Sequence, residues 1–216
     1  MSNSLKNQLD RIKQKLETLK ELDKNLRLFG ADAHEYVLNK PLSKNEIETF
    51  EAKYTIRLPE EFAVFYTEIG NGGVGPFYGL TSLENTVFAY GNTNLLLNPS
   101  KPFPYTKNWN MEFIPTINFK ENEDEYDKQR KKFDEIYYAL EFMNGTLCIC
   151  NYGCGVLINL VVNGNEYGYL WTDDRSNGNG IYPSFELGNK EKIKFLDWYE
   201  LWLDNSLSEI QAKNFK

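Results

Sequence analysis

The chain has 216 residues, of which 41% are hydrophobic and 15% aromatic, so it can bury a sizeable core and is not a disordered chain. Its formal net charge of -7 argues against DNA or RNA as a ligand, because nucleic-acid affinity comes mainly from neutralising phosphates. The charge favours a basic protein as partner, although solubility alone would also account for it.

The start of the chain, MSNSLKNQLDRIKQKLETLKE, is polar and charged and does not resemble a secretory signal peptide. No stretch of about 18 consecutive apolar residues occurs, so we expect no membrane span. The cysteines, at positions 148, 150 and 154, are odd in number and indicate reduced thiols. Together these features predict a cytoplasmic protein.

An N-terminal helix is predicted over residues 3–29, with Gly30 as its stop. Its apolar residues recur at steps of three and four and form one stripe, made of Leu5, Leu9, Ile12, Leu16, Leu19, Leu22, Leu26 and Phe29. Such a stripe either docks on the domain or pairs with a second helix, and docking is favoured because about three heptads are few for a coiled coil. We interpret residues 1–30 as a helical extension of a single domain over residues 31–216.

Two shorter helices are predicted after this extension. Ser43 and Glu46 have the spacing of a capping box, and Ile47, Phe50 and Tyr54 form the apolar side of the helix that follows. The segment LPEEFAVFYTEIG predicts the second helix, with a proline in its first turn, a glycine at its C-cap and an apolar side made of Phe62, Phe65, Tyr66 and Ile69.

The stretch EIGNGGVGPFYGL places Gly70, Gly72 and Gly75 in the G-x-G-x-x-G spacing of a dinucleotide-binding loop. That loop normally follows a strand and opens a helix, so that phosphate meets the positive helix N-terminus. Here the glycines follow a helix, and a phosphate would meet the negative end of its dipole. The spacing therefore predicts a helix end and a glycine-rich turn, not a nucleotide site.

The middle of the chain is less regular. Residues 81–110 are rich in Asn, Gly and Pro and predict loops, and FIPTINF then predicts a short strand. The mixed-charge block KENEDEYDKQRKKFDE, residues 120–135, is interpreted as a solvated hairpin loop or a mobile insertion.

The last third predicts an antiparallel meander and a closing helix. EIYYALEF, GTLCIC and GVLINLVV have the composition of strands, and Asn163-Gly164 is a strong hairpin signal. TDDRSNGNG predicts an exposed loop, and NKEKIKFLDWYELWLDNSL an amphipathic helix. Helices, then an antiparallel sheet, then a helix define an α+β fold.

Residues that could carry chemistry are few. Cys148 and Cys150 alternate and are expected to share one face of a strand, with Cys154 beyond a turn, but structural zinc normally needs four ligands, so buried core cysteines are favoured. The one histidine, His34, lies in a connector and is interpreted as structural or solvent-exposed, and no GxSxG is present. We assign no catalytic, cofactor-binding or metal residues and no cofactor.

Residues 42–80, LSKNEIETFEAKYTIRLPEEFAVFYTEIGNGGVGPFYGL, resemble the start of the SUKH superfamily in its Smi/Knr branch. The resemblance rests on an LP-x-x-[FY] helix, a glycine-containing break and a YGL-like segment, matched here by Leu58, Pro59, Phe62, Gly72, Gly73, Pro76, Tyr78, Gly79 and Leu80. It extends over about residues 35 to 205. The helix over residues 3–29 and the charged block 120–135 depart from the family pattern.

The resemblance implies a non-enzymatic protein, because most bacterial members are thought to be immunity proteins that bind and neutralise polymorphic toxins, often nucleases. The expected partner is a basic toxin domain whose active site is covered, with no nucleic acid and no membrane involved. Acidic residues predicted to be exposed are the candidate contacts: Glu121, Glu123, Asp124, Glu125, Asp173 and Asp174. For Asp173 and Asp174, an acid–base or metal role is a weaker reading than an exposed turn. The alternative function is a regulatory scaffold or adaptor that docks a partner through its N-terminal helix.

Overall fold

The fold is described from a computed structural model, which covers residues 2–214. Within these residues six α-helices accompany a four-stranded sheet, so the predicted α+β class is confirmed. The helices are α1 (Asn3–Leu22), α2 (Ala31–His34), α3 (Lys44–Tyr54), α4 (Glu60–Glu68), α5 (Glu123–Tyr137) and α6 (Phe195–Asn214). The strands are β1 (Thr146–Gly153), β2 (Val156–Val161), β3 (Leu170–Asp174) and β4 (Gly180–Pro183).

The sheet is an antiparallel meander in the order β1-β2-β3-β4, as predicted. Side chains alternate across it, and each face buries a separate apolar cluster. One cluster joins the sheet to the helices and includes Ile149, Leu160 and residues of α4 and α6. The other cluster lies under the irregular segments and includes Trp171 and Phe103.

A β-bulge in β1 overturns the expectation that Cys148 and Cys150 share a face. Cys148 pairs with Asn159 and Cys150 with Ile158, so the register shifts between the two cysteines. The extra residue rotates the strand, because a bulge places two residues opposite one on the partner strand. Cys148 therefore packs with Trp171, whereas Cys150 joins the helix-side cluster and donates its Sγ–H to the Pro76 carbonyl at 3.1 Å.

The N-terminal helix α1 docks on α6, as favoured from the sequence, but it ends at Leu22 rather than at residue 29. Its stripe buries Leu9, Ile12, Leu16 and Leu19. The helix stops because the buried carboxylate of Asp23 accepts hydrogen bonds from the amides of Arg27 (2.8 Å) and Leu28 (3.1 Å), which holds the chain in a turn. The division of the chain into residues 1–30 and 31–216 stays a prediction.

Helices α3 and α4 confirm the local signals. The Ser43–Glu46 capping box is present with both of its hydrogen bonds, and Pro59 directly precedes α4 as its N-cap. Gly72 after α4 has a φ of 75°, and a Cβ there would lie 2.7 Å from two backbone oxygens. Gly73 then bridges to Leu38 on one side and to Leu80 on the other, so the glycines are the predicted backbone break.

Three predictions for the segment before β1 are wrong. FIPTINF forms no strand, and residues 120–135 are neither a hairpin loop nor a mobile insertion but most of helix α5. EIYYALEF supplies the end of α5 and a short 3-10 helix, Leu140–Met143, instead of a strand. The helix forms because Asn122 caps it and opposite charges lie three and four residues apart, as in Arg130–Asp134.

The β2–β3 hairpin is confirmed, but its connection spans residues 162–169 and is not a two-residue turn. The Asn163 carbonyl accepts from the Phe103 amide at 2.8 Å, so Asn163-Gly164 supports a neighbouring loop instead of closing the hairpin. The closing helix α6 is also confirmed, and its fully buried side chains are Phe195, Leu196, Trp198, Tyr199, Leu203 and Ile210. Residues 81–110 are irregular, as expected.

Candidate protein-interaction surface

Four of the six predicted contact residues lie together at the start of α5. Glu123, Asp124 and Glu125 occupy its first turn, and Glu121 precedes its N-cap. Glu125 is half-buried and the other three are exposed. Acidic side chains in a first turn stabilise a helix through its dipole, so these charges have a structural cause of their own. Their role in binding stays a prediction.

Asp173 and Asp174 do not lie in an exposed loop, and the expectation of their exposure is wrong. Both belong to β3 and are buried. Asp173 forms a bidentate ion pair with the guanidinium of Arg175, with Nε–Oδ1 and Nη2–Oδ2 distances of 2.7 Å. The Asp173 carboxylate is therefore neutralised within the protein by Arg175, two residues later in the chain.

The same guanidinium holds the C-terminal end of α5. Arg175 Nη1 donates to the carbonyl oxygen of Tyr137, the last residue of α5, at 2.8 Å, and to that of Ala139 just beyond it at 3.1 Å. Burial by itself would lower the pKa of Arg175, but the hydrogen bonds and charge of Asp173 outweigh it and hold that pKa above its ordinary value. Asp173 and Arg175 thus position the C-terminal end of α5.

Asp174 is satisfied within the protein as well. Its carboxylate accepts from the side-chain amides of Asn177 and Asn179, both at 2.6 Å, and from the Tyr182 hydroxyl at 3.3 Å. These bonds shape the loop after β3. Burial, followed by the charges of Glu186 and Asp174, raises the pKa of Tyr182.

An exposed aromatic surface lies at the β1–β2 hairpin end of the sheet. We define this aromatic surface as Phe29, Tyr78, Tyr90, Tyr138, Tyr152, Cys154 and Ser176. The Phe29 ring, 58% exposed, lies 5.3 Å from the Tyr78 ring and 6.2 Å from the Tyr152 ring between centroids. Tyr78, 44% exposed, extends this cluster into solvent.

The loop after β3 connects the two ends of the aromatic surface. Asn177 Nδ2 donates to the Cys154 carbonyl at 3.3 Å, and Ser176 Oγ lies 3.4 Å from the Tyr90 hydroxyl. The Tyr138 hydroxyl donates to the Arg175 carbonyl at 3.2 Å. The surface is therefore continuous from Phe29 to the end of α5.

A groove of about 590 Å³ adjoins the surface beyond Tyr138. It lies between α5, residues 110–113 and residues 175–178, and its walls include Phe113, Phe133 and Tyr137. Arg130 lies over the rings of Phe113 and Phe133, at 5.2 Å and 5.6 Å from their centroids. The groove gives the aromatic surface a concave end that could receive a partner side chain.

The aromatic surface could not be predicted from the sequence because its members come from six separate segments. The available signals were the aromatic residues beside glycines in PFYGL and NYGCG, of which the first was interpreted as a turn and a family motif and the second as part of a cysteine-containing strand and turn. An aromatic residue at a turn is usually exposed, since loops run over the protein surface.

The side chains of His34 and Cys148 are buried, and burial disfavours the charged form of each. His34 is buried, its Nδ1 accepts from the Tyr36 amide at 3.1 Å, and burial lowers its pKa to about 4 against the opposing charges of Asp32 and Asp23. Burial raises the pKa of the Cys148 thiol to about 12. Across residues 2–214, three or more His, Cys, Asp or Glu side chains do not come together as a metal site.

The described part of the chain is thus an α+β fold with an exposed aromatic surface at one end of its sheet. A model of the SMI1 / KNR4 family (SUKH-1) matches residues 41–187, more than half of the chain, and the chain belongs to this family. The resemblance seen in the sequence is thereby confirmed. The matched range contains α5 and leaves out α1 and α6.

Neither a curated protein nor a solved structure matches the chain. None of the helices between residues 2 and 214 is long and apolar enough to cross a membrane.

Proposed function

We propose that this protein is a cytoplasmic immunity protein, which binds a basic, nuclease-type toxin domain and neutralises it by covering its active site. Membership of the SMI1 / KNR4 family over residues 41–187 carries the proposal, since that family includes immunity proteins. The net charge of -7 supports it, because an acidic protein is steered towards a basic one.

The proposal includes no catalytic step. Two side chains that acid–base catalysis often uses have structural roles here: His34 is buried, with its pKa lowered to about 4 by burial, and the Asp173 carboxylate binds Arg175. Neutralisation therefore depends on occupancy of the toxin surface, with one immunity protein required for each toxin molecule.

The alternative of a scaffold that docks through its N-terminal helix is less well supported. The apolar stripe of α1, which would bind a partner helix, is buried against α6. At the edge of this interface, Arg11 and Lys15 of α1 bind Glu200 of α6 at 2.8 Å and 2.9 Å. Docking through α1 would require this seam to open.

The experiment is rescue of growth. The C-terminal domain of a large secreted protein encoded beside this gene is expressed in cells with and without the full chain. We expect growth to be restored and the two proteins to co-purify, with an association rate that falls as salt rises. Lack of rescue, or the lack of any such neighbour together with no binding, would contradict the proposal.

A further inference from the structure

The aromatic surface has the composition of a binding interface. Aromatic side chains are enriched at the centres of protein interfaces because they bury a large area and lose few rotamers. Phe29, Tyr78, Tyr90 and Tyr138 are each at least 40% exposed on this one face. Phe29 and Tyr78 contact each other, and the loop after β3 joins Tyr90 and Tyr138 to the same surface. Large exposed apolar patches are unusual on a protein that binds nothing.

The surface is also held rigidly, at a cost in backbone strain. The backbone φ values of Phe77, Tyr90 and Cys154 are 56°, 56° and 50°, a region that residues other than glycine seldom adopt. Gly153 permits the close approach of Tyr78, because a Cβ at residue 153 would lie 2.9 Å from that ring. Strain of this kind persists where the surrounding structure enforces it, and it often marks functional sites.

The charges around the surface leave an acidic excess. The cations are balanced, since Arg175 is paired with Asp173, Arg130 lies 3.0 Å from Asp134, and Arg27 lies 4.0 Å from Asp23. Asp32 and Glu35 are exposed and close in sequence to Phe29 and to His34, whose Cβ is near Gly79, and Glu112 is exposed on the groove. These three carboxylates make no ion pair within residues 2–214. A basic partner would therefore meet unpaired acids around an aromatic centre, the arrangement of tight interfaces.

We infer that a basic toxin domain covers the aromatic surface, and not the acidic first turn of α5; this inference rests on the proposed function. The first turn carries exposed acids, but its acids are accounted for by the helix dipole. The aromatic surface combines exposed apolar area, a fixed backbone and unpaired acids on one face.

The chain carries its own reporter for this inference. Cys154 is exposed on the aromatic surface, whereas Cys148 and Cys150 are buried. The probe is the toxin domain of the rescue experiment, inactivated in its own active site and mixed with the full chain. We expect the rate of maleimide labelling of Cys154 to fall at least tenfold in the complex.

A matched reporter tests the acidic turn. The full chain carrying Cys154→Ser and Glu123→Cys places the exposed thiol on α5, and its labelling rate should be unchanged by the toxin domain. Protection of the introduced thiol, with Cys154 of the natural chain still reactive, would overturn the inference and assign binding to α5.

Substitutions give a second measurement. Phe29→Ala should weaken toxin binding at least tenfold, whereas Phe119→Ala, which removes a ring of similar exposure (48%) beside α5, should leave the Kd unchanged. Circular dichroism and the unfolding midpoint check that both variants stay folded. If the natural chain binds tightly, Phe29→Ala binds equally well and Cys154 is not protected, then the inference about the surface is wrong while the proposed function stands. If the natural chain neither binds nor rescues, the proposed function fails, and the inference fails with it.

Discussion

Helices α1 and α5 are both charged and amphipathic, but the protein holds them in different ways. Helix α1 buries four apolar side chains against the core. Helix α5 buries Tyr137 alone and is fixed at its C-terminal end by the ion pair of Asp173 and Arg175. Similar charge patterns therefore do not reveal how firmly a helix is attached, since the attachment depends on what its few inward side chains meet.

The largest expected effect is at the polar anchor of α5. Asp173→Asn leaves the buried guanidinium of Arg175 without its counter-charge, and such a change typically costs about 3–5 kcal/mol. Urea denaturation measures the loss, and hydrogen exchange should show that the amides of α5 lose protection first. Asp174→Asn is the matched control, because Asp174 has amide and hydroxyl partners and no cation. A stability within about 1 kcal/mol of the natural chain would contradict this role for Asp173.

The apolar attachment of α1 is tested by a matched pair of truncations. Ile12→Ala in α1 removes a fully buried side chain and should lower the free energy of unfolding by about 2–5 kcal/mol. Ile136→Ala in α5 removes a side chain that is 47% exposed and should cost within about 0.5 kcal/mol. Equal losses in the two variants would show that the two helices are held alike.

A smaller effect is expected at the start of α5. The side chain of Asn122 accepts from the Glu125 amide at 3.1 Å, and Asn122→Ala should cost about 1 kcal/mol of local helix stability. Hydrogen exchange should quicken in the first turn of α5. Ser2→Ala removes the corresponding cap of α1, where the packed stripe should keep the amides beyond the first turn protected. Unchanged hydrogen exchange in both variants would contradict the expectation that the start of α5 depends more on its cap than the start of α1 does.

The smallest effect concerns the ion pairs that join α1 to α6. The hydrogen bonds of Arg11, acting against burial, lower the pKa of Glu200 to about 2. Because this folded-state pKa is depressed, the stabilisation is present above about pH 4.5 and is lost as the pH falls towards 2. Glu200→Gln should therefore cost up to about 1 kcal/mol at neutral pH and almost nothing near pH 2. Glu209→Gln, which removes the exposed pair with Lys213, is the control and should cost less than Glu200→Gln at neutral pH. A constant difference between the natural chain and Glu200→Gln across this range would contradict the assignment.

Local signals in the sequence were sufficient for much of the fold. The capping box at Ser43, the stripe of α1 and the strands after Gly145 each involve neighbours within about seven residues, where the periodicity of the chain determines which side chains face inward. The glycines after α4 were interpreted correctly as a break, since the order of helix and loop decides the direction of the dipole. The family could be predicted from the same segment.

The tertiary structure decided the features that depend on distant partners. Asp173 lies in a sequence that is typical of a turn. It is buried because Arg175, which neutralises its carboxylate, also binds the end of α5, which covers the pair. The bulge that separates Cys148 from Cys150 depends on pairing with β2. The aromatic surface joins residues 29, 78, 90, 138 and 152, which have no common period along the chain. Periodicity fixes which way a side chain points within one element. The position of one element against another depends on packing across the whole core, and that packing brings the residues of the aromatic surface together.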